Sequence, residues 1–134
     1  MIVVDTNIIC YRWLASSHSE AADKAWLKDP EWIAPLLWRS EFRNALAGAL
    51  RKNILSLDAA IEILSKAELQ FAGREFLVAS PGVMQSVADS CCSAYDCEFV
   101  ALAREQRLVL VTADREILRH FPQDSISLEQ FIRA

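Results

Sequence analysis

The chain's 134 residues suffice for one domain with a real core, and 53% hydrophobic against 24% charged residues excludes a disordered chain. A formal net charge of −4 and a pI near 5.2 argue against a simple electrostatic nucleic-acid binder, whose footprint is basic. Only three glycines and four prolines leave little room for flexible linkers, and no repeat or low-complexity tract divides what reads as a single domain over residues 1–134.

Short β-branched runs alternate with longer helical patterns. Residues 2–4, Ile2-Val3-Val4, read as a first strand, and a helix follows over Ser19–Lys28 with Ala21, Ala22, Ala25, Trp26 and Leu27. Residues 32–34 form a second strand ended by Pro35. The helix over residues 36–52 carries the apolar arc Trp38, Phe42, Ala45, Leu46 and Ala49. Ser56 caps a helix bearing Leu57, Ala60, Ile61, Leu64 and Ala67. Residues 76–78 suggest a third strand, and Pro81-Gly82 opens a helix through Val83, Val87 and Ala88. A helix around Asp96 comes next. Residues 108–111, a continuous apolar run, read as a parallel strand covered on both faces. Ile117 and Leu118 mark a short helix, and residues 126–132 add a small strand or helix.

Such alternation predicts an α/β fold, a three-layer α/β/α sandwich with a central, mainly parallel sheet and right-handed crossovers. Ligands of these sheets bind outside the carboxyl ends of the strands. Asp5 ends the first strand and Asp114 follows Val111-Thr112-Ala113, so topology alone brings two acids to one edge.

Asp96 is the most telling acid. Helical spacing places Phe99, Val100 and Ala103 on its face, so a carboxylate sits inside an apolar stripe. Burying an ionised carboxylate without a partner costs on the order of several kcal/mol, so a cation must answer it or it must be neutral. Each acid also has a structural explanation. Asp5, Asp96 and Asp114 are candidate helix caps, and Glu41 is a boundary residue that an arginine could pair. Converging, the four would repel one another and bind protons unless a cation intervened. Mg2+ or Mn2+ takes oxygen ligands and keeps several waters, which suits carboxylates.

Other residues have plainer readings. Cys10, Cys91, Cys92 and Cys97 contain no C-x-x-C pair, and His18 and His120 lack zinc-like spacing, so the thiols read as small core fillers in a reduced cytoplasm. The start of the chain lacks signal-peptide features and no run approaches membrane-spanning length. Arg39, Arg43, Arg51 and Lys52, with Arg104, Arg107, Arg115 and Arg119 later, read as solvated helix surface, with a basic rim to an acidic pocket as the alternative. Trp32 and Trp38 are expected in the core; Trp13 and Trp26 are candidates for a partner groove. Glu98 reads as a solvated residue near the pocket, and Asp89 and Asp124 as surface or capping residues.

Four segments together carry a family resemblance: Asp5-Thr6-Asn7 after an apolar strand, Glu41 within Ser40-Glu41-Phe42-Arg43-Asn44-Ala45-Leu46, Asp96 within Tyr95-Asp96-Cys97-Glu98-Phe99-Val100-Ala101-Leu102-Ala103, and Thr112-Ala113-Asp114. In order and over nearly the whole chain, they resemble a PIN domain, and within that family the VapC-type ribonuclease toxins of toxin–antitoxin pairs. The resemblance implies an acidic pocket that binds Mg2+ or Mn2+ and cleaves RNA, a metal-bound water attacking the scissile phosphorus in line. By motif position Asp5, Glu41, Asp96 and Asp114 are the metal-binding acids, and Thr6, Asn7 and Thr112 are polar supports. It further implies a homodimer silenced by a cognate antitoxin protein, whose C-terminal segment lies in a groove and inserts an arginine into the pocket.

Two other functions compete. A phosphohydrolase of the haloacid dehalogenase type also begins strand-then-Asp, but needs a second Asp where this chain has Asn7, and its late Lys is not evident. A PIN-like module that holds RNA or protein without cleaving is the second.

Overall fold

A computed structural model describes all residues from Met1 to Ala134. Five strands, β1 (Ile2–Val4), β2 (Trp32–Pro35), β3 (Glu75–Phe76), β4 (Leu110–Thr112) and β5 (Ser125–Ser127), form one sheet in the order β3-β2-β1-β4-β5, every neighbouring pair parallel. Eight helices connect and follow them: α1 (Thr6–Trp13), α2 (Ser19–Lys28), α3 (Trp38–Arg51), α4 (Leu57–Gln70), α5 (Ser80–Ala88), α6 (Ala94–Gln106), α7 (Arg115–His120) and α8 (Leu128–Arg133). The expected α/β/α sandwich forms, and its sheet is entirely parallel.

Local chemistry sets most of the boundaries. Asp5, Ser56, Ser93, Asp114 and Ser127 each stand in extended backbone before a helix and accept a bond from an amide of its first turn. Helix α6 ends on Arg107 in the left-handed conformation, φ 55 and ψ 46, which turns the chain into β4. Three details differ from expectation. Helix α1 follows Asp5 over Thr6–Trp13, a stretch to which the sequence reading assigned no element. Strand β3 closes at Phe76, leaving Leu77 and Val78 outside the ladder. Strand β4 is displaced toward the C-terminus and takes in Thr112.

The chain moves outward one way through β1, β2 and β3, then returns to the other side of β1 through β4 and β5. With right-handed crossovers this reversal puts helices on both faces. Helix α6, with α5 against it, covers β1, β2 and β4 from one side, while α1, α2 and α8 pack together on the other. One cluster of 29 buried residues unites both layers, including Val3, Val4, Ile33, Val100, Leu102, Leu110 and Val111. Trp32 and Trp38 are core, as expected; Trp38 tilts against Phe71 at 4.7 Å.

Of the two groove candidates, only Trp13 lines one, an apolar cavity of 510 Å3 with Leu14, Ala15, Ala49, Ile54, Leu55 and Ile63. Trp26 packs edge-on to Trp32 at 5.2 Å under the guanidinium of Arg12. The cysteines are all free, but only Cys92 and Cys97 fill the core; Cys91 is exposed and Cys10 half-buried. No helix is long and apolar enough to cross a membrane.

Candidate active site

The strand order reverses between β1 and β4, and at such a switch point the crossovers diverge and leave a crevice beyond the carboxyl ends. Val4 pairs with Val111 across β1 and β4, and the Asp5 amide donates to the Val111 carbonyl at 3.0 Å. The next step in register sets Asp5 beside Thr112. The Thr112 hydroxyl donates to Asp5 Oδ2 at 2.7 Å and accepts from the Asp114 amide at 3.0 Å. One side chain thus orders two acids.

Asp5 is almost fully buried, at 6% exposure. Its Oδ1 accepts from the Thr6 amide at 2.7 Å, which makes it the cap of α1, and the Asn7 amide side chain approaches Oδ2 at 3.4 Å. Asn7 also accepts from the Ala113 amide at 3.2 Å, tying α1 to the end of β4. Thr6, also buried, sends its hydroxyl to Glu41 Oε1 at 2.7 Å. Glu41 reaches the site from the first turn of α3. Asp96 reaches it from the first turn of α6, three residues after the cap Ser93, whose hydroxyl accepts from the Asp96 amide at 3.1 Å. Phe99, Val100 and Ala103 on its face are buried, as the spacing predicts.

All four acids, with Thr6 and Asn7, line one cavity of 570 Å3. Thr112 lies behind it, fully buried. Capping and convergence prove compatible: Asp5 and Asp114 cap α1 and α7 while lining the cavity, whereas Asp96 yields its capping role to Ser93. Glu41 is bonded by Thr6 rather than paired by an arginine, and no Lys or Arg forms an ion pair with any of the four. No Lys or Arg lines the cavity. Arg39 is held by Glu75 and Glu68 near β3, and Arg104 by Asp124 and Asp89.

The electrostatics follow. Burial raises the Asp5 carboxyl to about 7; bonds from Thr112 and Thr6 oppose that rise, and the charges of Glu41 and Asp96 add to it. Burial likewise raises Glu41, with Asp96 adding to the rise against the Thr6 bond. Burial and then Asp114 raise Asp96, against bonds from the Ser93 side chain and backbone that lower it. Glu98 is not simply solvated: it is half-buried and shifted up by burial and by Glu41. Burial and the charges of Asp5 and Glu41 push Cys10 up to about 11, leaving an unreactive thiol on the cavity wall.

Cys10, Ser40, Asn44 and Tyr95 also line the cavity, none singled out by the sequence. Helical geometry carried the signal: Ser40 and Asn44 flank Glu41 on α3, and Tyr95 precedes Asp96. No three acid, histidine or cysteine side chains meet as a finished metal cage. The donor set nonetheless fits a hard dication: four carboxylates line an open cavity, three are raised by burial and one another's charge, and none has a protein cation to answer it. Mg2+ needs only one or two direct carboxylates and bridges the rest through retained waters.

Comparison with known proteins agrees with this architecture. The chain resembles a crystal structure of PAE2754 from Pyrobaculum aerophilum, with a TM-score of 0.78, 22% identity, and 98% of this chain and 93% of that one covered. It also resembles FitAB bound to an IR36 DNA fragment (TM-score 0.70, 19% identity, coverage 96% and 95%). A third likeness is to FitAcB from Neisseria gonorrhoeae (TM-score 0.69, 22% identity, coverage 95% and 96%). At these identities the likeness is one of fold. No curated protein matches by sequence. The sequence profile described as the PIN domain matches residues 2–122, nine-tenths of the chain, so this protein belongs to the PIN domain family, whose members are generally nucleases.

Proposed function

We propose that the protein is a metal-dependent endoribonuclease that hydrolyses RNA phosphodiester bonds, and that it is the toxin of a toxin–antitoxin pair. The observation that supports this best is the set of four acids in one cavity with no basic side chain among its lining residues. Asp5, Glu41, Asp96 and Asp114 would hold a divalent cation, Mg2+ or Mn2+. When bound, that ion neutralises charge on the phosphodiester and lowers the pKa of a coordinated water.

The chain's own residues do the positioning. Thr112 and the Thr6 amide fix both oxygens of Asp5, so its carboxylate cannot swing away from the cavity. Thr6 fixes Glu41 across the α1–α3 contact, and the amides of Glu116 and Ile117 hold Asp114 through Oδ1 alone, leaving Oδ2 free of them. Supports of this kind keep ligands oriented, and losing one costs about 10–100-fold in metal affinity or activity. Asn7 serves as a strap between α1 and β4. That occupation speaks against a haloacid dehalogenase chemistry, which needs a second carboxylate there.

A homodimer, a cognate antitoxin and a cytoplasmic setting complete the proposal. The apolar cavity beside Trp13 supports the antitoxin, since an amphipathic segment would lay its apolar face there. Four free thiols suit a reducing compartment. Incubating the purified protein with RNA, with and without chelator, tests the nuclease. Cleavage that needs Mg2+ or Mn2+ and is lost in Asp5→Asn and Asp96→Asn is expected; metal-independent RNA binding without product would instead identify a silent binding module.

A further inference from the structure

The acidic cavity continues into a second groove of 470 Å3, and Leu37, Ser40 and Tyr95 line both. The remaining walls are mostly apolar, with Phe76, Leu77 and Met84 among them, and no Lys or Arg lines the groove. Its one carboxylate is Glu98, on α6 one turn beyond Tyr95. Tyr95 itself is 64% exposed although it immediately precedes Asp96. A large aromatic ring left in water at the mouth of an acidic cavity is unexplained by packing.

An RNA strand cut among the acids must place the neighbouring nucleotide beside them. Its phosphate has no place in this groove, which offers no cation and carries a negative charge of its own. The base is neutral and flat, and apolar walls with an exposed aromatic ring suit it. Unstacked bases are held on such rings in single-stranded RNA recognition, a contact that every base's π-face allows. Glu98 adds selection, because its carboxyl oxygens accept hydrogen bonds and so favour a base edge that carries an amino group, as cytosine does at N4.

We propose that Tyr95 and the adjoining groove form a subsite for the base next to the scissile phosphate, with Tyr95 as the stacking platform and Glu98 as the acceptor that favours bases bearing an exocyclic amino group. The subsite presupposes the ribonuclease function proposed above, and its test separates the two.

A mixed-sequence RNA is digested by wild-type protein and by Tyr95→Ala, Tyr95→Phe and Glu98→Gln, and the product ends are sequenced and the kinetics measured. Tyr95→Ala is expected to raise KM roughly tenfold with kcat within about twofold, whereas Tyr95→Phe, which keeps the ring, holds the wild-type KM. Glu98→Gln is expected to admit bases with carbonyl edges at the product ends. In parallel, quenching of a short oligoribonucleotide carrying 2-aminopurine at alternate positions is followed on Asp5→Asn protein in Mg2+, with and without Tyr95→Ala.

An unchanged KM and unchanged product ends in Tyr95→Ala overturn the subsite while leaving the nuclease intact. Failure of wild-type protein to cleave any RNA overturns the nuclease and with it a subsite defined by the scissile phosphate. Quenching lost with Tyr95→Ala then leaves Tyr95 as the base-stacking platform of an RNA-binding module, and quenching retained overturns that role as well. Sedimentation of Leu77→Asp covers the rival occupant. Dissociation of a dimer with unaltered base preference assigns the groove to a second copy of the chain and overturns the subsite.

Discussion

The Thr112 hydroxyl donates to Asp5 Oδ2 at 2.7 Å across 107 residues of chain, and both side chains are buried. The bond opposes the rise that burial imposes on Asp5, so Thr112 helps determine the pH at which the site carries its charge. Thr112→Val keeps the shape and removes the donor. Loss of a bond to a charged, buried acceptor costs about 1.5–3 kcal/mol, so a drop in Tm of several degrees is expected by calorimetry at pH 8. Cleavage should fall about 10–100-fold, with the pH dependence of what remains displaced upward. Wild-type cleavage in Thr112→Val would remove Thr112 from the site's supports.

Asp5 lies at about 7 against an ordinary carboxyl value of 3.8, and the sign of the linkage follows from that rise. At pH 3 the group is protonated whether folded or unfolded and costs nothing. As pH climbs from about 4 to about 7 the unfolded chain releases its proton while the folded chain retains it, and above that the folded state carries a buried charge. Metal-free protein should therefore lose stability over that interval, by on the order of a few kcal/mol from Asp5, with Glu41 and Asp96 adding in the same direction. Denaturant melts in chelator at pH 5 and pH 8 check this. Asp5→Asn should flatten the difference, and an equally steep profile in that variant would assign the effect elsewhere.

Divalent cation should reverse the loss. A ligand that binds only the folded state stabilises it by mass action, about 2.7 kcal/mol at one hundred times Kd, and these carboxylates must be ionised to bind. Added Mg2+ or Mn2+ is expected to raise Tm at pH 8 and much less at pH 5, in a thermal melt with no substrate present. Equal shifts in wild-type and Asp96→Asn protein would mean that the ion binds elsewhere.

Asp114 carries two jobs that substitution separates. Its Oδ1 accepts from the Glu116 and Ile117 amides at 2.8 and 3.1 Å, so Asp114→Ala removes the cap of α7 at a cost near 1 kcal/mol. Asp114→Ser keeps a capping oxygen and discards the charge. Near wild-type Tm with cleavage lost is expected of the serine variant, read from one melt and one gel. Retained cleavage would confine Asp114 to its capping job.

Removing Asp96 should cost the fold little. Ser93 still caps α6 through the Asp96 amide, so Asp96→Ala relieves burial of the carboxyl and repulsion by Asp114, offset in part by the loss of its own bonds to Ser93. Metal-free Tm at pH 8 is expected to hold or rise slightly while cleavage disappears. A large fall in Tm would assign Asp96 to the helix rather than to the site.

What the amino-acid order determined by itself is periodicity and chemistry. Alternating β-branched runs and apolar helical arcs sufficed for a parallel α/β sandwich, because each element buries a face of fixed period. An acid interrupting the stripe of Phe99, Val100 and Ala103 was legible for the same reason. Long-range pairing was not legible. Whether Glu41 answered an arginine or Thr6, whether Arg39 and Arg104 rimmed the cavity or turned away to Glu75 and Asp124, and whether Tyr95 was packed or left in solvent depended on which strands became neighbours. Strand order decided those questions, since it sets which loop ends share the crevice between β1 and β4 and leaves Arg39 and Arg104 to find their partners elsewhere.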